Sequence, residues 1–319
     1  MAYTAGDTIL DDEYNAFVNN SSSPFGLNTT GGTGSGTLGL GESAIATVSA
    51  GDTVNASSWN TLFTGINTIA GHTADTMTSR SAVSAGDAIA IKAAVAADLA
   101  TLAASVAAGC PNTTALTTSG ILQEPASSST WTGVFTTEVS ITFASGDKMR
   151  HFFNAGGKIR IDPIRTGNGG ASGASGKDGA WDNVYNAVGN FEIKQTACTR
   201  SGSGETETTF NSSTGFHDLG TGYSTLLVIS DNTYPYTSNN IKIEAKLNAA
   251  VGSATVMTVK CTSTDGSADF TFNDGNADNN AYRNGQHKHR LYVISTTTGG
   301  GLANAHAQSS TATVSNSTS

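Results

Sequence analysis

The stretch that decides the fold is "WTGVFTTEVSITFASGDKMRHFFNAGGKIRIDPI", residues 131–164. Its first part alternates apolar and polar residues and is rich in Val, Thr and Phe, which is typical of a β-strand. Met149, Phe152 and Phe153 then fall at helical spacing after Asp147. Because aspartate is a favoured N-cap residue, the pattern predicts a short helix that carries all three apolar side chains on one face.

A tight turn and a second strand follow this helix. Gly156 and Gly157 are expected to end it, because glycine reaches the positive φ that a helix end often requires. The run "KIRIDPI" after them alternates charged and apolar residues, which predicts a strand. The stretch therefore predicts strand, helix, turn and strand, with Phe152 and Phe153 as packing residues that fill the core under the sheet.

Further strands are predicted toward the C-terminus, in "NFEIKQTAC", "YSTLLVIS", "IKIEAKLNAA", "ATVMTVKCTS", "DFTFNDG" and "RLYVIS". Turn signals separate them, and this density predicts an antiparallel β-sandwich-like domain over residues 111–297. The segment "TGNGGASGASGKDGAWDNV" is interpreted as a long Gly/Ser loop. Residues 298–319 are rich in Gly, Ser and Thr, and we expect an extended C-terminal arm that a neighbouring subunit holds in place.

Three segments in the first hundred residues begin alike, at Thr4, Ser49 and Ser84. Each contains Ala-Gly-Asp, and in the first two an aromatic–Asn pair follows at the same offset: Tyr14-Asn15 and Trp59-Asn60. Each copy predicts a turn followed by a helix, so residues 1–110 form a helical repeat region that includes a Gly-rich loop. The second copy supplies three further predicted packing residues, Trp59, Leu62 and Phe63.

The third copy is rich in alanine, and its larger apolar residues are spaced by three and four: Ile91, Val95, Leu99, Leu102 and Val106. Such a stripe packs on its own domain or makes a contact between subunits, and both alternatives remain open here. The predicted fold class is α+β, mainly β: a small N-terminal helical region, then an antiparallel β-sandwich-like domain, then an extended C-terminal arm.

The composition excludes several classes of protein. Charged residues make up 13% of the chain, about half the usual share, and the net charge is −9. The Lys and Arg residues are scattered, so we expect no nucleic-acid partner. No apolar window is long enough to span a bilayer, and the N-terminus does not have the pattern of a signal peptide. Abundant Ser, Thr, Asn and Gly with little charge is typical of fibres, adhesins and particle shells.

Two features could bind metals. His287 and His289 begin a predicted strand and point the same way, so they could supply imidazole ligands at a symmetry axis; the alternative is a pair of partly exposed rings. A second candidate has oxygen ligands at alternate positions, as at the start of a Ca²⁺ loop: Asp274, Asn276 and Asp278. Asn279 and Gly285 stand where that loop requires Gly and Glu, so the alternative is a plain acidic turn.

The sequence contains no G-x-S-x-G or H-E-x-x-H motif and no Cys–His pair at a known catalytic spacing. Gly34, Gly36 and Gly39 match G-x-G-x-x-G, but no apolar strand precedes them, so no nucleotide site is predicted. We therefore predict no catalytic residue and no cofactor. The three cysteines are far apart, and we interpret them as small buried hydrophobic residues: Cys110, Cys198 and Cys261.

Several segments resemble structural proteins of tailed bacteriophages, particularly those of marine and cyanobacterial phages: "FASGDKMRHFFNAGGKIRI", "DDEYNAFVNN", "SAGDTVNASSWNTLFTGINTIAGH", "TGFHDLGTGYSTL" and "SDNTYPYTSNNIKIEAK". The resemblance covers most of residues 1–295 and includes tail and tail-fibre proteins. It implies a non-enzymatic virion subunit, assembled in the host cytoplasm, that binds copies of itself and other virion proteins. It supplies no catalytic residue.

Three other functions remain open. A receptor-binding adhesin that recognises a host surface glycan would expose aromatic side chains on loops, and the candidates are Tyr234, Tyr236, Trp181 and Tyr185. A capsid decoration protein is a second alternative. A hydrolase of cell-surface polymers is a third, and it would need a close pair of carboxylates.

Overall fold

The structure of the chain, a computed structural model, describes residues 11–22, 25–32, 39–40, 42–73, 75–85, 92–107, 116–118, 122–127, 133–166, 177–267, 286–296 and 308–317. The chain divides into two compact units. The first, which we call the helical unit, comprises residues 1–117, 147–157 and 295–306. The second, the sheet unit, comprises residues 118–146, 158–294 and 307–319. Both units are discontinuous in sequence, whereas the sequence predicted continuous segments.

Five helices are associated with the helical unit: α1 (Asp11–Asn19), α2 (Leu27–Gly31), α3 (Ala56–Thr73), α4 (Lys92–Ala107) and α5 (Gly146–Asn154). α3 begins directly after Asn55, whose Oδ1 accepts a hydrogen bond from the Ser58 N–H at 3.0 Å. α5 begins two residues earlier than predicted, at Gly146 instead of Lys148. Asp147 therefore lies in its first turn, where its carboxylate contacts the Arg150 guanidinium at 2.9 Å.

The predicted apolar stripes build the core of the helical unit. The Trp59 ring packs against Tyr14 and Phe63, with ring centroids 5.7 and 5.9 Å apart, and Leu62 is buried beside them. The α4 stripe lies in the same core through Val95, Leu99, Leu102 and Val106. This stripe therefore packs on its own unit, which is the first of the two alternatives. Ile91 lies outside the described residues.

The repeated Asn of the first two copies holds an extended segment in place. Asn15 Nδ2 donates to the Val48 carbonyl at 2.7 Å, and Asn15 Oδ1 accepts from the Val48 N–H at 2.8 Å. Asn60 makes the same pair of bonds with Val83, at 3.0 and 2.9 Å. Val48 and Val83 directly precede the second and third copies. Asn15 and Asn60, which occupy the same position in the first two copies, thus each hold the residue that directly precedes the next copy.

The helix within the fold-deciding stretch, α5, carries both predicted phenylalanines into the interior. Phe152 and Phe153 are buried and their rings meet edge to face at 5.0 Å. Asn154 Nδ2 donates to the Gly39 carbonyl at 2.8 Å, and Ala155 joins the helical core. The segment therefore belongs to the helical unit, although its position between two strands led us to expect it under the sheet. Gly156 has the predicted positive φ, +87°.

The described strands are β1 (Leu116–Thr118), β2 (Val134–Phe143), β3 (Lys158–Thr166), β4 (Phe191–Ile193), β5 (Cys198–Arg200), β6 (Thr206–Phe210), β7 (Ser224–Ser230), β8 (Asn240–Leu247), β9 (Val256–Thr264), β10 (Gln286–Thr296) and β11 (Gln308–Ser317). Sheet A has the order β1-β10-β3-β4-β5, and sheet B has the order β11-β2-β9-β8-β7-β6. The registered pairs are antiparallel, and alternate side chains of β2 and β3 are buried. The α+β, mainly β fold with sandwich-like antiparallel sheets is confirmed.

Two local predictions were wrong. Residues 177–188 form α6 (Lys177–Val188), whereas residues 166–184 were predicted to form a Gly/Ser loop. The segment "NFEIKQTAC" is not one strand: it contains β4 and the start of β5, which pair with each other as Ile193 opposite Cys198. A short 3₁₀ helix lies at Phe216–Asp218. The predicted strand "DFTFNDG" lies wholly outside the described residues.

Candidate functional site

The candidate site is the free edge of β11, at one end of sheet B. β11 pairs with β2 over ten residues, from Gln308 opposite Phe143 to Ser317 opposite Val134. The C-terminal segment is extended, as predicted, but this part of it is held by its own chain. No described strand pairs with the other side of β11, as at any sheet edge, although Gln123 Nε2 donates to the Ser310 carbonyl at 3.4 Å and to Ser310 Oγ at 2.8 Å.

The other edges of the two sheets are short or interrupted. β1 and β5 have only three residues each. β6 has a register shift between Glu207 and Thr209, and Glu207 is held by Arg200 at 2.6 Å. Short strands, charged residues and bulges are the usual devices that keep an edge strand from pairing with another chain. Three of the four edges therefore carry such a device.

β11 has none of these devices. Its sequence, "QSSTATVSNS", contains no charged residue and no proline, and its register with β2 is continuous. It is also twice as long as the other edge strand of sheet B. A long, uncharged edge strand without a bulge is a template for β-strand addition.

Two residues on the core-facing side of β11 remain exposed among the described residues. Directly opposed residues of an antiparallel pair lie on the same face, and Ala312 and Val314 stand opposite Val139 and Thr137, which are buried. Val314 is nevertheless 44% exposed, and Ala312 is exposed too. Among the described residues, the large apolar side chains classed as exposed are Val314 and Tyr234. An apolar side chain at this edge would gain free energy if a further strand covered it.

The two histidines predicted as metal ligands form a buried polar network in the sheet unit. His289 Nδ1 lies 2.8 Å from Thr137 Oγ1, and His289 Nε2 lies 3.1 Å from Ser263 Oγ. The Tyr185 hydroxyl lies 2.8 Å from Ser263 Oγ and 2.7 Å from His287 Nδ1. The rings point the same way, as predicted. They connect β10 of sheet A with β2 and β9 of sheet B and with α6.

This geometry gives the histidines a structural role. The partial exposure considered for them is wrong, because both rings are buried. Both ring nitrogens of His289 lie within hydrogen-bond distance of a hydroxyl group. The described residues contain no group of three His, Cys, Asp or Glu that could hold a metal. Burial lowers the pKa of His289 to about 3, because the charged imidazolium would lose its hydration there.

The helical unit contains a cavity of about 460 Å³ between α2, α3 and residues 42–45. Leu27, Ile45 and Ile69 provide apolar lining, and α3 provides several hydroxyl groups. Those of Thr61 and Thr64 donate to carbonyls one turn earlier in the helix, at 2.9 Å. In the described lining, Glu42 is the only ionisable residue. The cavity has the size of a small-molecule site, but its described lining offers no pair of ionisable groups that could act as acid and base.

The aromatic candidates for receptor binding divide into two groups. Tyr234 is 81% exposed, as the adhesin hypothesis requires. Tyr236, Trp181 and Tyr185 are buried, so the expectation that they lie exposed on loops was wrong. The Trp181 ring packs edge to face on His287, with centroids 5.4 Å apart. It therefore contributes to the core of the sheet unit.

Other predicted positions have simpler outcomes. Cys198 and Cys261 are buried, as expected, and burial raises the pKa of each thiol to about 12. Cys110 and the acidic turn lie outside the described residues, the latter with Asp274, Asn276 and Asp278.

No family model, curated protein or solved structure matches this chain. Within the described ranges, none of the helices has both the length and the apolar character needed to cross a membrane.

Proposed function

We propose that this protein is a non-enzymatic structural subunit of a tailed-phage virion, in the tail or an appendage, that assembles with copies of itself. The observation that carries the proposal is the open edge of β11: ten uncharged residues, beside three edges that are short or interrupted. Proteins whose edges are all protected stay apart, so one unprotected edge favours assembly. The assignment to phage particles is supported by the resemblance of residues 143–161 and of the repeats to virion proteins.

The placement of charged groups also supports a scaffold. Glu192 accepts from Lys158 at 3.1 Å and from Arg160 at 2.9 Å, across neighbouring strands of sheet A. Glu124 contacts Lys288 and Arg290 at 2.5 Å each. Ion pairs of this kind fix strand register and add little free energy each. In these ion pairs and in the buried histidine network, ionisable side chains hold strands together. This is the pattern expected of a non-enzymatic subunit.

The proposed partners are copies of the chain and other virion proteins, and the proposed location is the virion, assembled in the host cytoplasm. Antibodies against the purified chain, used in immunogold electron microscopy of particles, test this location. Labelling of the tail or an appendage is the expected result. Labelling spread over the head would favour a capsid decoration protein, and absence of label from particles would contradict the proposal. Light scattering of the purified chain tests self-assembly, and a monomer at all concentrations would contradict it.

A receptor-binding adhesin remains the second candidate, because Tyr234 projects into solvent from the loop between β7 and β8. Exposed aromatic rings stack on sugar rings, and a lone exposed Tyr is otherwise an ordinary surface residue. Binding of the purified chain to host cells, compared with binding of the Tyr234→Ala variant, separates the two functions. Loss of binding in the variant, with assembly intact, would favour the adhesin.

A further inference from the structure

We infer that β11 pairs antiparallel with β11 of a second copy of this chain, around a two-fold axis at Thr313. The pairing joins the two six-stranded sheets into one continuous sheet. This inference rests on the proposed function, because it names the partner and the register of the same edge. It is carried by the charge of the chain, the faces of the strand and the open apolar side at Ala312 and Val314.

The charge of the chain favours a second copy at this edge. Each chain has a net charge of −9, so two copies repel each other over most of their surface. β11 contains no charged residue, so two copies of it place no like charges opposite each other. The edge of β6 is less suitable, because Glu207 lies on it and the register shifts beside that residue. The neutral strand is therefore where two acidic chains meet at the lowest electrostatic cost.

The faces of the strand restrict the register. A two-fold axis perpendicular to the sheet makes the two edge strands antiparallel and keeps the same face of each sheet on the same side. Core-facing residues, including Ala312 and Val314, must then stand opposite core-facing residues of the second copy. This condition excludes the register of full overlap. It leaves two registers that are one residue shorter, with either Ala312 or Thr313 on the axis.

The open apolar side selects between these two registers. With Thr313 on the axis, Val314 stands opposite Ala312 of the second copy, and this contact occurs twice by symmetry. With Ala312 on the axis, Val314 would stand opposite Ser310 instead. The first register gives the exposed Val314 apolar neighbours from both strands. The axis is therefore assigned to Thr313.

A disulfide cross-link tests the register directly. Thr313→Cys places two thiols opposite each other, with Cβ atoms about 4.5–5.5 Å apart, close to the separation that a disulfide requires. The matched control is Ser315→Cys, on the same face of the same strand. Its two thiols would be about 14 Å apart, because residue 315 stands opposite residue 311 and about 3.4 Å separates successive residues. Both variants carry Cys110→Ser, and the buried thiols of Cys198 and Cys261 have raised pKa values that keep them unreactive.

Mild oxidation should give a covalent dimer with Thr313→Cys and monomer with Ser315→Cys. An equimolar mixture of Thr311→Cys and Ser315→Cys chains should give a mixed dimer, because these positions oppose each other. No dimer from Thr313→Cys, or equal dimer from Ser315→Cys, would overturn the assignment.

A charge exchange tests the pairing without cross-linking. In the double variant Thr311→Lys/Ser315→Lys, each new ammonium group stands opposite another, and the dissociation constant should rise by about tenfold or more. The matched control, Thr206→Lys/Thr208→Lys, adds the same charge to the edge of β6 and should keep the wild-type constant. Mixing the β11 double-Lys chain with Thr311→Glu/Ser315→Glu should restore dimers. Equal weakening by both Lys variants, or no restoration on mixing, would overturn the inference.

The outcomes separate this inference from the proposed function. If particles are labelled and the chain is oligomeric, but the Thr313→Cys variant does not cross-link, the β11 pairing fails and the virion proposal stands. If the cross-link forms in the assigned register and no particle is labelled, the virion proposal fails and the pairing stands.

Discussion

Acid should weaken the sheet unit through one buried imidazole, that of His289. Its ring lies 4.6 Å from the Phe135 ring, centroid to centroid, and between the hydroxyls of Thr137 and Ser263. Burial lowers the pKa of His289 to about 3, whereas an exposed histidine in the unfolded chain titrates near 6.5. The folded chain therefore keeps this ring neutral over a range of pH in which the unfolded chain protonates it.

The sign and the size of the effect follow from this difference. Between pH values of about 6.5 and about 3, the unfolded state binds one proton more at this position than the folded state. The free energy of unfolding should therefore fall as the pH falls, by about 1.4 kcal/mol per pH unit through the middle of the window. Over the whole window the loss is on the order of 5 kcal/mol. It is absent above about pH 6.5, where the ring is neutral in both states.

This loss is measured by urea unfolding at several pH values. Hydrogen exchange of peptides from β9 and β10 is the readout, because it reports on the sheet unit. Carboxylates titrate in the same window, so the comparison is with His289→Gln, which should show the shallower pH dependence. Ser263→Ala is the matched control. It should be less stable than wild type by about 1–3 kcal/mol and should keep the wild-type slope, because burial and not this hydrogen bond lowers the pKa. Equal slopes for wild type and His289→Gln would refute the reasoning.

Three further predictions concern the packing and the surface. Asn60→Ala leaves the Val83 peptide without its two side-chain hydrogen bonds. It should lower the free energy of unfolding by about 1–3 kcal/mol and speed hydrogen exchange of residues 75–85. The control Asn67→Ala, on the exposed side of the same helix, should change neither. Phe153→Ala removes a fully buried ring and should lower the free energy of unfolding by about 3–5 kcal/mol, read from chemical denaturation; a loss below about 1 kcal/mol would show that the ring is not part of a packed core. Tyr234→Ala should change stability by less than about 0.5 kcal/mol and leave phage adsorption unchanged; reduced adsorption would favour the adhesin.

Local patterns predicted much of the fold. The alternation of β2 and β3 and the spacing of Met149, Phe152 and Phe153 each specify an element from neighbouring residues alone, and all three elements formed. α6 was missed because the Gly/Ser run before it dominated the interpretation. Its own signal was present: Trp181, Val184, Tyr185 and Val188 are spaced by three and four and are all buried.

The buried histidine network and the edge of β11 depend on contacts between residues far apart in the sequence, which local patterns do not predict. His289 and Thr137 are 152 residues apart, and Tyr185 and His287 are 102 residues apart, so the burial of the two rings could not be inferred from the motif. The edge of β11 depends on pairing with β2, and Thr313 lies 175 residues from Glu138. A strand without an apolar alternation gives little register information. The absence of charge in residues 308–317 was the one local signal of an edge open to pairing.

Hydrogen exchange along β11 tests the central claim most directly. In an antiparallel strand, amides point alternately toward one neighbour and the other, so one set of β11 amides faces β2 and the other faces the open edge. In dilute solution only the set that faces β2 should be protected. On assembly, the account predicts that the second set becomes protected as well, over residues 309–317. Oligomers or particles in which the open-edge amides still exchange at the rate of an unpaired strand would contradict it.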